Sequence, residues 1–104
     1  MTHTVLVMYP NEVDVHFDET YYMKTHVPLI ENIWKSHGLI SWHVTKFTTA
    51  LDGSRPQYLV ITTLQWESEE SVKAALQNPA SAGVFADVPN FTNVKPITLA
   101  GSEL

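Results

Sequence analysis

The stretch FDETYYMKTHVPLIENIW, from Phe17 to Trp34, decides the fold of this chain. It opens with a helix start. Asp18 is suited to the N-cap, where its carboxylate accepts from first-turn backbone N–H groups, and Glu19 suits the positive end of the helix dipole. Phe17 precedes that cap and Tyr22 follows it four residues later, the spacing of a hydrophobic staple. Two apolar rows then run at helical spacing: Tyr22, His26, Leu29 and Ile33 in one, Met23, Val27, Ile30 and Trp34 in the other. Pro28 interrupts them, because it has no N–H for the carbonyl of Lys24 and disfavours helical geometry at Val27. The expectation is two short helices, roughly 18–26 and 28–36, meeting at an angle. His26 then falls in the last turn of the first, on a buried face. There the dipole favours the charged ring and burial the neutral one, which holds its titration near working pH. The structural alternative is a packed, hydrogen-bonded core histidine.

Outward from this segment the chain reads as alternating strands and helices. Thr4 to Tyr9 is a continuous β-prone run suited to a central strand. Ser41 to Thr49 alternates, with Trp42 and Val44 on one face and His43 and Phe47 on the other. Asp52 to Pro56 makes a turn, and Tyr58 to Trp66 returns with apolar side chains on both faces. Ser68 suits the cap of a second helix with Glu69 and Glu70 in its first turn; Asn78-Pro79 caps a further helical piece that ends near Asp87. Thr92 to Ala100 reads as the last strand. His37-Gly38 ends the first helical region with a glycine cap, while His3 and His16 read as surface residues. The order β-α-β-β-α-β implies an α+β, ferredoxin-like domain with an antiparallel sheet, spanning residues 1–104. Strands apolar on both faces need two covers, and helices supply only one, so a homodimer joined through the sheet is expected.

Composition narrows the function. Hydrophobic residues make up 44% and charged residues 16% of the 104 residues, with a formal charge of −5. Only six basic residues are present, and they are scattered, so no nucleic-acid partner is expected. There is no cysteine, hence no disulfide, thiolate metal site or thiol nucleophile. No apolar run is long enough for a membrane span, no signal-peptide core is visible, and a cytoplasmic location is the expectation. The histidines lie at no metal-ligand spacing, and neither a phosphate loop nor a dinucleotide fingerprint occurs, so no metal and no cofactor is expected. Acid–base chemistry in an apolar pocket is what remains.

The pattern F-x-x-x-Y-Y-x-x-x-H-x-P-L, formed by Phe17, Tyr21, Tyr22, His26, Pro28 and Leu29, resembles the amino-terminal signature of EthD-like proteins. The resemblance extends through Gly38-Leu39, the strand containing Trp42, and the segment from Ala86 to Thr92, and so covers nearly the whole chain. It implies a dimeric α+β barrel. The family includes proteins linked to ether degradation, methylmuconolactone isomerases, and fungal polyketide-tailoring decarboxylases and dehydratases. It also implies that His26 lies in a pocket and that Trp42 occupies an aromatic position lining that pocket in the isomerase-like relatives. The cysteine those isomerases use is absent here, which counts against muconolactone-type isomerisation.

The candidate catalytic residues are therefore His26, as acid or base, and Asp87, which could orient the histidine or stabilise its charged form. Asp87 also has a plain reading as a helix-end carboxylate bonded to backbone N–H groups. Tyr22, Trp42, Phe85 and Phe91 are the candidate substrate-binding residues, with core packing as the alternative for Tyr22 and Trp42 and apolar walls as the role of Phe85 and Phe91. The leading expectation is a cofactor-independent enzyme performing dehydration, decarboxylation or isomerisation on a small aromatic, cyclic or polyketide-like molecule. The alternatives are an EthD-type oxidoreductase or accessory protein in ether or aromatic degradation, and a non-catalytic metabolite-binding dimer.

Overall fold

Strand β1 (His3–Pro10) lies inside a four-stranded sheet of order β2-β3-β1-β4, with β2 (Leu39–Lys46), β3 (Tyr58–Trp66) and β4 (Ile97–Gly101). Every neighbouring pair is antiparallel. The structure is a computed structural model and describes residues 2–104. The helical layer comprises α1 (Glu19–Tyr21), a π-turn (Tyr22–His26), α2 (Val27–Trp34), α3 (Glu69–Gln77) and α4 (Ala82–Ala86), joined by short 3-10 turns. This is the βαββαβ ferredoxin-like α+β fold. Among the described residues no helix is long and apolar enough to cross a membrane.

The first helical region departs from the expected break. Asp18 does cap it, its carboxylate accepting from Tyr21 N at 3.0 Å, and the Phe17 and Tyr22 rings sit 5.1 Å apart. Residues 19–34 are nevertheless continuously helical. In place of a break, the Val27 N–H donates to the carbonyl of Tyr22, five residues back, so the turn before Pro28 is widened by one residue. The widening accommodates a proline ring and a missing donor that would disrupt an ordinary helical turn. It also changes the rows. A spacing of four drifts steadily around an α-helix, and the wide turn takes that drift back. Tyr22, His26, Ile30 and Trp34 therefore share one side, and Met23 is left 42% exposed.

One core cluster joins Ile30 and Trp34 of α2, Leu64 and Trp66 of β3, and Val72 and Ala75 of α3. The other joins Tyr9, Tyr22, Val27, Val60, Phe91 and Val94. His3, expected at the surface, belongs to the same face of β1 as Val5, Val7 and Tyr9 and is buried. Gly38 ends the helical region at φ +106, a conformation that glycine adopts without strain, and a Cβ there would meet Ser71 at 2.7 Å. Strand limits shift in β2 and β4. β2 starts at Leu39 and stops at Lys46, and β4 starts only at Ile97. Residues before Ile97 follow another course, with Thr92 bridging Phe17 and Val94 buried in the second cluster.

The opposite face of the sheet carries Leu6 and Met8 of β1, Ile61 of β3, and Ile97 and Leu99 of β4, as the register requires. Ile97 and Leu99 are about half exposed, and among the described residues no helix lies over them.

Ser81 ties the two halves of the helical layer together. Its buried hydroxyl accepts from Trp34 Nε1 at 2.7 Å and donates to the Ala75 carbonyl at 2.5 Å. Ser81→Ala leaves a buried indole N–H without an acceptor, so a stability loss of about 1–3 kcal/mol is expected. In urea this reads as a lower unfolding midpoint at unchanged slope, and a midpoint equal to wild type would refute it.

Candidate active site

A cavity of about 600 Å³ lies between the sheet and the helical layer, on the β1–β4 side. Its floor is made by buried side chains: Tyr9, Tyr22, His26, Ile30, Trp34 and Val84. The exposed residues Phe85, Pro89, Asn93, Lys95 and Thr98 form its rim.

His26 closes the π-turn and is 2% exposed. Its ring stacks on Tyr22, with centroids 5.2 Å apart and planes 23° apart, and Phe91 packs against it at 4.6 Å. Two aromatic neighbours thus fix the ring plane. The rotation within that plane is set by Asp87, whose Oδ2 lies 2.9 Å from His26 Nδ1. Nε2 has no protein partner among the described residues and is not sealed off from the cavity that His26 lines.

Asp87 caps the C-terminus of α4 and leads into the 3-10 turn Val88–Asn90. Its carboxylate bonds to side chains, not to the backbone donors of the plainer reading. Tyr21 Oη donates to Oδ1 at 2.6 Å and Asn90 Nδ2 donates to the same oxygen at 2.9 Å. Consecutive residues of the first helical region therefore divide the work: Tyr21 reaches Asp87 from outside, and Tyr22 lines the cavity.

The charge states follow from this packing. Burial pushes the His26 pKa below its ordinary value, and the bond to Asp87 only partly offsets it. Burial also works against the Asp87 carboxylate, but the bonds from Tyr21, Asn90 and His26 outweigh it and hold the carboxyl below the usual range. Near neutral pH the pair is a carboxylate facing a neutral imidazole with its proton on Nδ1, which leaves an acceptor lone pair on Nε2. Burial, then the neighbouring Tyr22 hydroxyl, push the Tyr9 phenol far above its ordinary range. The Tyr22 phenol is raised by burial too, and its oxygen lies 2.5 Å from Thr62 Oγ1. Both tyrosines are neutral hydroxyls.

Of the residues singled out in the sequence, His26, Tyr22 and Phe85 line the cavity, and Asp87 and Phe91 stand directly behind His26. Trp42 does not reach it. The cavity takes its strand residues, Val7, Tyr9 and Thr98, from β1 and β4, while Trp42 belongs to β2 at the far edge of the sheet. Its indole N–H donates to the Glu31 carboxylate instead. Tyr9, Trp34 and Lys95 were not anticipated at the site. Alternation along β1 could have placed Tyr9 on the helix side, whereas nothing local marks Lys95. Among the described residues no group of three or more His, Asp or Glu side chains is arranged to hold a metal ion.

The Tyr21 bond provides a test of the electrostatic arrangement. Tyr21→Phe removes a donor from Asp87, makes the carboxylate more basic, and so favours the imidazolium beside it. The His26 titration midpoint, followed by NMR of the ring, is expected to move upward. An unchanged or lowered midpoint would disconnect Tyr21 from His26.

The fold is shared with solved structures. An EthD-like protein from Ralstonia eutropha JMP134 superposes with a TM-score of 0.86 at 24% identity, covering 97% of this chain and 90% of that one. An ethyl tert-butyl ether D (EthD) family protein from Bacillus halodurans C-125 gives 0.78 at 19% identity, with both chains fully covered. SnoaB, a cofactor-independent oxygenase from Streptomyces nogalater, gives 0.65 at 9% identity over 99% and 95% of the two chains. No curated protein matches the chain. The EthD domain model matches residues 11–95, a span that holds both His26 and Asp87. The chain belongs to the EthD family.

Proposed function

We propose that this protein is a cofactor-independent proton-transfer enzyme acting on a small aromatic, cyclic or polyketide-like molecule, with His26 as the base. The observation that carries the reading is the His26–Asp87 pair at the floor of an apolar cavity. Nδ1–H is held by Asp87, so Nε2 is the ring atom free to take a proton from a carbon beside a substrate carbonyl. The imidazolium that forms regains from the adjacent carboxylate part of what burial costs it. Charge builds on the carbonyl oxygen in the same step, and Tyr9, a neutral buried hydroxyl of the cavity floor, is the donor suited to receive it. Returning the proton elsewhere on the substrate gives isomerisation. Expelling hydroxide as water gives dehydration, and the same acid–base pair serves the protonation that follows loss of carbon dioxide.

A second reading has support from the cofactor-independent oxygenase of the same fold. There the same base would form an enolate or phenolate that reacts with dioxygen directly. Oxygen uptake during turnover separates the two. A non-catalytic metabolite-binding role is the third reading, and substitution of His26 addresses it. His26→Gln keeps approximate size and hydrogen-bonding capacity but does not titrate near neutrality. The folded variant is expected to bind a product-like ligand while turnover falls by about 10²–10⁴-fold. Full activity in a correctly folded His26→Gln protein would end the assignment of His26 as the base.

The half-exposed apolar residues Ile97 and Leu99, together with Leu6 and Ile61 beside them, support the homodimer expected from the sequence. Sedimentation at micromolar concentration should show a dimer that Leu99→Glu converts to monomer. A wild-type monomer under those conditions would remove the proposal.

A further inference from the structure

Among the described residues the walls of the cavity contain no aspartate and no glutamate, although the chain carries eleven acidic residues and a formal charge of −5. They do contain Lys95, at the rim. Three other cations of the chain are occupied: Lys46 pairs with Glu19 at 2.7 Å, Lys73 with Glu69 at 2.9 Å, and Arg55 donates to Asn11 and to the Glu12 carbonyl. Lys95 makes no ion pair among the described residues. Lys24 and Lys35 make none either, but neither lies on the cavity.

The backbone holds Lys95 at this place. Val94 before it is anchored in the second core cluster, and Pro96 after it restricts Lys95 to extended geometry and is itself a wall residue. Asp87 stands behind His26, not in the walls, with its charge shared among three donors. An ammonium at the mouth of a low-dielectric cleft, with no carboxylate in the walls, gives that cleft a positive entrance on an otherwise acidic protein.

We propose that Lys95 is the anion-recognition residue of this cavity, and that the ligand is an apolar ring system carrying one acidic group, such as an aromatic carboxylate. The proposal rests on the cavity being the substrate site. It sets the ligand's orientation: the acidic group stays at the rim with Lys95, and the ring system descends between Ile30, Trp34 and Val84 toward His26 and Tyr9. The competing role for Lys95 is to cover apolar rim surface with its stem while its ammonium stays in water, which would confer no preference for anions.

Two probes of the same ring system separate these roles: 2-naphthoate, an anion, and 2-acetonaphthone, its neutral counterpart. Calorimetric titration at low ionic strength should show naphthoate binding roughly 3- to 10-fold more tightly, the scale of a partly exposed ion pair. That ratio should fall to one in Lys95→Met and shrink with added salt, while Lys24→Met, which removes a charge elsewhere, leaves it intact. Both probes should shift the amide signals of Val94 and Lys95 in NMR spectra. Equal affinities in the wild type, or a preference that survives Lys95→Met, would overturn the role of Lys95 while leaving the cavity as the binding site. Failure of both probes to bind, or shifts confined to Leu6, Ile61 and Leu99, would overturn it together with the cavity reading.

Discussion

The site depends on a missing hydrogen bond. Pro28 has no N–H, and an unmodified α-helix through it would leave the carbonyl of Lys24 without its usual donor. The chain answers with the Val27-to-Tyr22 bond, one residue longer than the α-helical one. That single wide turn puts four residues at a constant spacing of four, Tyr22 to Trp34, along one side of the helical region, where they become the long wall of the cavity. His26 closes the turn. The position of His26 and the shape of the pocket thus share one cause.

The second constraint is electrostatic. A histidine at 2% exposure is poorly placed to carry charge, and one next to a carboxylate is well placed to do so. With burial the larger influence, the resting ring is neutral and the carboxylate bears the charge. Asp87 keeps its charge because Tyr21 and Asn90 solvate it with fixed donors in place of water. A base that rests neutral but has its conjugate acid prepared for is the arrangement proton abstraction calls for.

Much of this fold was legible in the sequence because the signals are local. The Asp18 and Ser68 caps, the Gly38 terminus and the alternation from Tyr58 to Trp66 each state their structure within a few residues. The π-turn was not legible, because periodicity arguments assume a constant number of residues per turn and Pro28 reads as a breaker. The start of β4 was misplaced because Val94, apolar as a strand residue should be, is buried in a loop that packs on Tyr9 and Phe91. At the site, His26 and Asp87 could be singled out separately, but their meeting across 61 residues is a product of topology. The same topology leaves Trp42 two strands away from the pocket and brings in Tyr9 and Lys95.

The segment that carries Asp87 joins the rest of the molecule through another loop. Asp18 N bonds the Phe91 carbonyl at 2.8 Å, Thr92 Oγ1 donates to the His16 carbonyl at 2.7 Å, and His16 N donates to Asn93 Oδ1 at 2.8 Å. These stitches fasten the connection after β1 to the connection before β4, outside both helix and sheet ladders. The loop between Asn11 and Phe17 therefore works as a tether of fixed length for the carboxylate that aims the imidazole. Lengthening or shortening it would change how the imidazole is aimed with little change to the architecture, so the geometry of the pair and the stability of the fold can vary separately.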